Sequence, residues 1–188
     1  MAAISMQGGG VRAVLGALAA GSLALAIALA PVSGAAAATR RITAAQRSLL
    51  SSSELWATID VCDPPDQPNT LGVRGSMPGD GQARDRMYMS FRLQYWDATS
   101  KRWVDLAIDT HAGYVAVGDG GSSRQDGSSF QINPVAGRPA FLMRGVVEFQ
   151  WRRGRTVLLS VSRAATAGRK SLAGADPVGF SAASCSIG

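Results

Sequence analysis

An all-β fold of two packed sheets is the class this sequence predicts, on three observations. Apolar and polar residues alternate with period two through several segments. Clusters of Gly, Pro, Asn and Asp punctuate those segments at intervals of about ten residues. Helical periodicity is nearly absent beyond the first forty residues. Of the 188 residues, 46% are hydrophobic and 17% charged, and the formal net charge is +6. Those figures suit one domain with a real core. They exclude a disordered chain, a collagen and a polytopic membrane protein.

The elements come in chain order. Arg12 precedes an apolar run from Ala13 to Ala30, Pro31 stops it, and Ala36-Ala37-Ala38 offers an A-x-A exit. This is the pattern of a secretory signal peptide over 1–38, helical in its apolar middle. An uncleaved membrane anchor is the rival, but Ala is weakly hydrophobic and the small-residue exit favours cleavage. Residues 39–53 read as a flexible polar approach to a domain over 54–188.

In that domain Leu55, Ala57, Ile59 and Val61 alternate along a first strand, which Asp63-Pro64-Pro65-Asp66 ends. A short stretch comes next, Leu71 to Met77. The clearest strand is Arg86 to Trp96, where Met87, Met89, Phe91, Leu93 and Tyr95 alternate with Tyr88, Ser90, Arg92, Gln94 and Trp96. Trp103 to Ile108 returns after a turn. Tyr114 to Val117 and Phe130 to Ile132 are weaker strands around a Gly/Ser-rich stretch, Gly118 to Ser129, expected as a mobile loop. Phe141 to Trp151 and Thr156 to Val161 make the second strong pair, joined through Arg152-Arg153-Gly154-Arg155 as a β-hairpin. From Ala164 onward the composition predicts a coiled tail. About seven short strands imply a two-sheet sandwich.

The only two cysteines, Cys62 and Cys185, lie near the two ends of the exported chain. In an oxidising compartment such a pair reads as a structural disulfide tying the tail back. A redox pair would need close Cys-x-x-Cys spacing.

The succession Leu55-Trp56-Ala57-Thr58-Ile59-Asp60-Val61-Cys62, Met89 to Gln94, Gly145 to Gly154 and Gly174 to Cys185 resembles small exported proteins of high-GC actinobacteria. The hairpin at Arg152–Arg155 also resembles the last two strands of immunoglobulin-like and fibronectin III-like domains. The resemblance implies a single immunoglobulin-like sandwich with a disulfide-tied tail. It implies no catalytic site.

The search for chemistry is mostly negative. His111 is the sole histidine, so a triad must use it with Asp105 or Asp109, and no G-x-S-x-G surrounds any serine. A solvated loop histidine is the favoured reading. Gly118-Asp119-Gly120-Gly121 lacks the rest of a phosphate-loop signature. Asp109, Asp119 and Asp126 lack calcium-loop spacing. Asp105 and Glu148 are acids that nothing in the sequence brings together. No metal and no cofactor is expected.

Two features remain. Arg152, Arg153 and Arg155, beside Trp151, form a basic hairpin tip that could hold an anionic polymer, although solvation of the turn is favoured. Trp96 and Trp103 flank a turn and could stack on sugars, although burial in the core is favoured. These features point to a secreted, non-catalytic interaction domain at or near the cell envelope. Its partner would be an anionic envelope polymer or a secreted protein, not nucleic acid, with membrane contact only through an uncleaved leader. A small hydrolase using His111, and a protease inhibitor presenting Gly118–Ser129 or Asp63–Asn69, are the alternatives.

Overall fold

The computed structural model describes residues 42–106, 113–170, 172 and 174–188. The leader expected over 1–38, and His111 with Asp109, lie outside the described residues. Where an irregular approach was expected over 39–53, the chain forms a short helix, α1 (Ala44–Leu50). Thr43 and Gln46 make a reciprocal capping box: the Thr43 hydroxyl accepts from the Gln46 amide at 3.2 Å, and Gln46 accepts from the Thr43 amide at 2.9 Å. Gln46 also donates to the Leu158 carbonyl at 2.8 Å, fixing the helix to a sheet edge.

Among the described residues nine strands come after the helix: β1 (Trp56–Cys62), β2 (Thr70–Met77), β3 (Gln82–Asp97), β4 (Arg102–Asp105), β5 (Val115–Gly120), β6 (Arg124–Gln131), β7 (Phe141–Arg153), β8 (Thr156–Ala164) and β9 (Cys185–Ile187). They form two antiparallel sheets. The smaller runs β1-β2-β6. In the larger, β3 and β7 are long central partners. β4 and β5 sit end to end on the free edge of β3, and β8 and β9 on that of β7. The stretch 118–129 is thus not a loose loop. It closes a turn between β5, which pairs with β3, and β6, which pairs with β2 along its whole length. Its Gly/Ser composition carries little strand propensity, and pairing on both sides imposes the strands.

The core lies between the sheets. Ile59, Leu71 and Val73 from the small sheet meet Met87, Met89, Leu93, Val147, Phe149 and Trp151 from the large one, all buried. These are the alternate positions the period-two pattern marks. The Trp151 indole N–H donates to the Pro78 carbonyl at 3.0 Å, which satisfies its polar atom inside the core. Gly145 lets the two sheets approach closely at Val73. A Cβ there would stand 2.6 Å from both Val73 methyls.

β1 is buried on both sides, which alternation alone does not predict. The C-terminal segment lies along it. Ile59 and Ala182 exchange two backbone hydrogen bonds at 2.9 Å, the Asp176 amide donates to Asp60 at 2.8 Å, and Thr166 donates to Ala57 at 2.8 Å. Leu172 and Ala175 pack on Trp56, and the Ser181 hydroxyl meets Thr58 at 2.8 Å. The tail also supplies β9. Cys62 and Cys185 are bonded, with Cα atoms 5.7 Å apart, so the disulfide joins the end of β1 in one sheet to β9 in the other. Such a bond accords with an oxidising compartment. Among the described residues no helix is long and apolar enough to cross a membrane.

Candidate functional site

Strand alternation gives the six-stranded sheet a second face, turned away from the core. β3 places Arg86, Tyr88, Ser90, Arg92, Gln94 and Trp96 there, each exposed or half-buried. Register with β7 sets Arg152 opposite Arg86, Gln150 opposite Tyr88, Glu148 opposite Ser90 and Arg144 opposite Gln94. Register with β4 sets Trp103 opposite Trp96 and Asp105 opposite Gln94.

Two stations of interacting side chains result. At one end the Trp96 and Trp103 rings meet edge to face, with centroids 5.5 Å apart, and Trp96 is 39% exposed. The Arg144 guanidinium lies 4.5 Å over the Trp103 ring. Its Nε donates to Gln94 at 2.8 Å; Gln94 donates to Asp105 at 2.8 Å; Arg92 donates to the same Asp105 oxygen at 2.8 Å. Partial burial and the neighbouring Arg92 both hold the Arg144 pKa down, against an opposing pull from Asp105.

At the other end Arg152 is sandwiched between Tyr88 and Tyr114, at 4.3 and 4.5 Å, and donates to Gln150 at 2.7 Å. Gln150 donates to the Tyr114 oxygen at 2.5 Å, and Ser160 donates to Glu148 at 2.9 Å. Burial, and then Glu148 close by, push the Tyr114 phenol up to about 12. The Tyr114 hydroxyl in turn holds Glu148 below the ordinary carboxylate range. A carboxylate held low is a poor general acid. Asp105 is an acceptor for Arg92 and Gln94, so this face offers charge and stacking surfaces.

The basic hairpin tip does not survive as one cluster. Neighbours on a strand point to opposite faces, so Arg152 joins the outward ladder while Arg153 turns to the core side. There Arg153 grips Asp85, which is fully buried, through two 2.7 Å hydrogen bonds. Arg153 is itself exposed along its free side, and Arg155 lies exposed in the two-residue turn, beside Gly154 at φ +56°. The tryptophans also depart from expectation: Trp96 is exposed and Trp103 half-buried on the outward face, and neither belongs to the core. The run from Arg86 to Trp96 spans about 33 Å of strand, so the aromatic pair and Arg152 share a face but stand at opposite ends. The sequence marks Arg144 as a basic residue upstream of the hairpin tip and Asp105 as a lone acid, but does not join them; Gln94, which links the two, is signalled by the polar parity of β3.

The loop at Asp63–Asn69 is closed by its own bonds, among them the Asn69 amide to Asp63 at 2.5 Å and the Gln67 amide to Pro64 at 3.0 Å. A separate apolar hollow of about 280 Å³ opens beside Tyr95, Leu106, Ile132, Phe141 and Met143. Among the described residues no group of three or more His, Cys, Asp or Glu side chains could hold a metal ion.

No protein-family model matches this chain, and no curated protein matches it. Among solved structures it is similar to Pseudomonas fluorescens alkylpurine DNA glycosylase AlkC bound to DNA containing an abasic site analog, at 14% sequence identity and a TM-score of 0.31. The likeness covers 60% of this chain and 29% of that one, less than a third of its length. At that TM-score it carries no argument about fold or function.

Proposed function

We propose that this chain is an exported, non-catalytic interaction domain of immunoglobulin-like build. Its leader is removed after Ala38, and it holds an anionic polymer of the cell envelope against the outward face of the six-stranded sheet. The supporting observation is the make-up of that face. It carries Arg86, Arg92, Arg144 and Arg152 with four aromatic rings, against three carboxylates, Asp105, Glu148 and the Asp119 opposite Arg86, that already have hydrogen-bond donors. Arginines interleaved with aromatics engage anionic chains through charge and stacking without a deep pocket.

The test is retention of the disulfide-bonded protein on isolated cell walls across a salt series. Arg86→Gln with Arg144→Gln should release it at lower salt than the parent, because exposed charges are screened over about 8 Å at physiological ionic strength. Arg155→Gln, at the turn, should release with the parent. Equal retention of all three versions at every salt concentration would remove the face from the binding reaction. Mass measurement of the exported chain checks the cleavage site.

A further inference from the structure

We infer, resting on that reading, that the Trp96–Trp103–Arg144 station is a subsite for a sugar acid, a pyranose ring carrying its own carboxylate, within an anionic polysaccharide. Three features select this ligand. Trp96 and Trp103 meet edge to face rather than stacked, and Trp96 is 39% exposed. The electron-rich face of an indole attracts the polarised C–H side of a sugar ring.

Beside it, Arg144 is held by Trp103 and by its Nε bond to Gln94, while its terminal nitrogens have no hydrogen-bond partner among the described residues. Those nitrogens form the planar fork that takes a carboxylate side-on. Arg92 cannot do the same work, because its charge is already paired with Asp105. An arriving carboxylate also relieves the repulsion between Arg144 and Arg92 that burial sharpens. Trp103 touches both Trp96 and Arg144, so the stacking surface and the anion fork are one side chain apart.

A protein strand added to the edge of β4 would take up backbone hydrogen bonds but leave the outward-pointing Arg144 fork unfilled. A phosphodiester chain of acyclic polyols would leave Trp96 without a ring to stack on.

The experiment is calorimetric titration of the disulfide-bonded protein with three probes: an oligogalacturonate hexamer, a neutral maltohexaose and inorganic polyphosphate. The hexauronate should bind, weaken with salt and outcompete the neutral sugar. Trp96→Ala and Arg144→Gln should each lose about tenfold or more in affinity, as expected for an anchor residue at a small site. Trp96→Phe and Arg144→Lys, which keep a ring or a charge, should lose less, and thermal melts of all four establish that the fold is intact. Arg155→Gln should bind as the parent. Polyphosphate binding as tight as the hexauronate and indifferent to Trp96→Ala would overturn the sugar subsite in favour of a plain anion patch. Wall retention without any uronate binding would overturn the subsite and leave the broader reading standing. Failure on walls and on uronate together would end both.

Discussion

The two sheets treat their outer faces in opposite ways. On the small sheet, Trp56, Thr58 and Asp60 of β1 point away from the core and are buried all the same, because Thr166, Leu172, Ala175, Asp176, Ser181 and Ala182 of the C-terminal segment lie against β1. On the large sheet, Tyr88, Gln94, Trp96, Trp103 and Arg144 point away from the core and nothing in the described chain covers them completely. A chain able to lay a tail over the outer side of β1 has left the other sheet with an exposed indole and a half-buried guanidinium. The difference separates surface used for stability from surface available for contact.

The largest way to break the contrast is to free the tail. Cys62→Ser with Cys185→Ser should cost about 5 kcal/mol in the chain-entropy model for so long a loop. Thermal melts give the loss, and hydrogen exchange should rise first in β1, whose edge the tail occupies. Unchanged β1 protection would show that backbone pairing alone holds the tail.

Next in size is Gly145→Ala, which tests the packed side of the large sheet against its open side. The new methyl meets both Val73 methyls at 2.6 Å, an overpacking cost of about 3 kcal/mol. Adding Val73→Ala should restore part of it. A lone Gly145→Ala that melts with the parent would mean that the sheets separate without penalty.

The pair at the rim between the two faces comes third. The Arg153 hydrogen bonds hold the Asp85 carboxyl below its ordinary range, so this stabilisation is present above that range and is lost as pH falls through the depressed value. Arg153→Gln, which strands a buried carboxylate, should lower Tm more than Asp85→Asn, which leaves a half-exposed guanidinium to water. Asp80 behaves oppositely: burial, with Asp85 beside it, raises its pKa, so ionising it costs stability above the ordinary value of 3.8. Asp80→Asn should therefore raise Tm at pH 7, by no more than about 4 °C, and lose that advantage below pH ~4. A Tm gain that persists undiminished in acid would put the effect elsewhere.

The smallest effect belongs to the open face. Trp96→Ala removes a cross-strand aromatic pair worth about 1 kcal/mol and no core contact, so its melt should stay within a few degrees of the parent. A loss as large as that of Gly145→Ala would make the tryptophan pair structural.

Much of this was legible in residue order. Met87 to Leu93 carries its burial in alternate positions, the alternate residues from Met143 to Trp151 are all buried, and Gly154 marks the hairpin turn. The Trp96 exposure was legible too, since it shares parity with Tyr88, Arg92 and Gln94 on the polar side of β3. The helix was written in Thr43-Ala44-Ala45-Gln46, a capping box easily missed because the helix it starts is only two turns long. Applying alternation one step further would have separated Arg152 from Arg153. The strands within 118–129 were not legible, because their residues favour turns and only pairing with β2 and β3 holds them extended.

By itself the sequence determined the strongly alternating strands, their inward side chains and the disulfide pairing, since backbone alternation is local and two cysteines allow one bond. Tertiary structure decided what covers each outer face and which arginine stays free. Asp85 meets Arg153 across 68 residues, and a tail of Gly, Ala and Ser carries no period to announce its path along β1. Such pairings depend on where distant segments land, and landing is set by the packing of the whole chain.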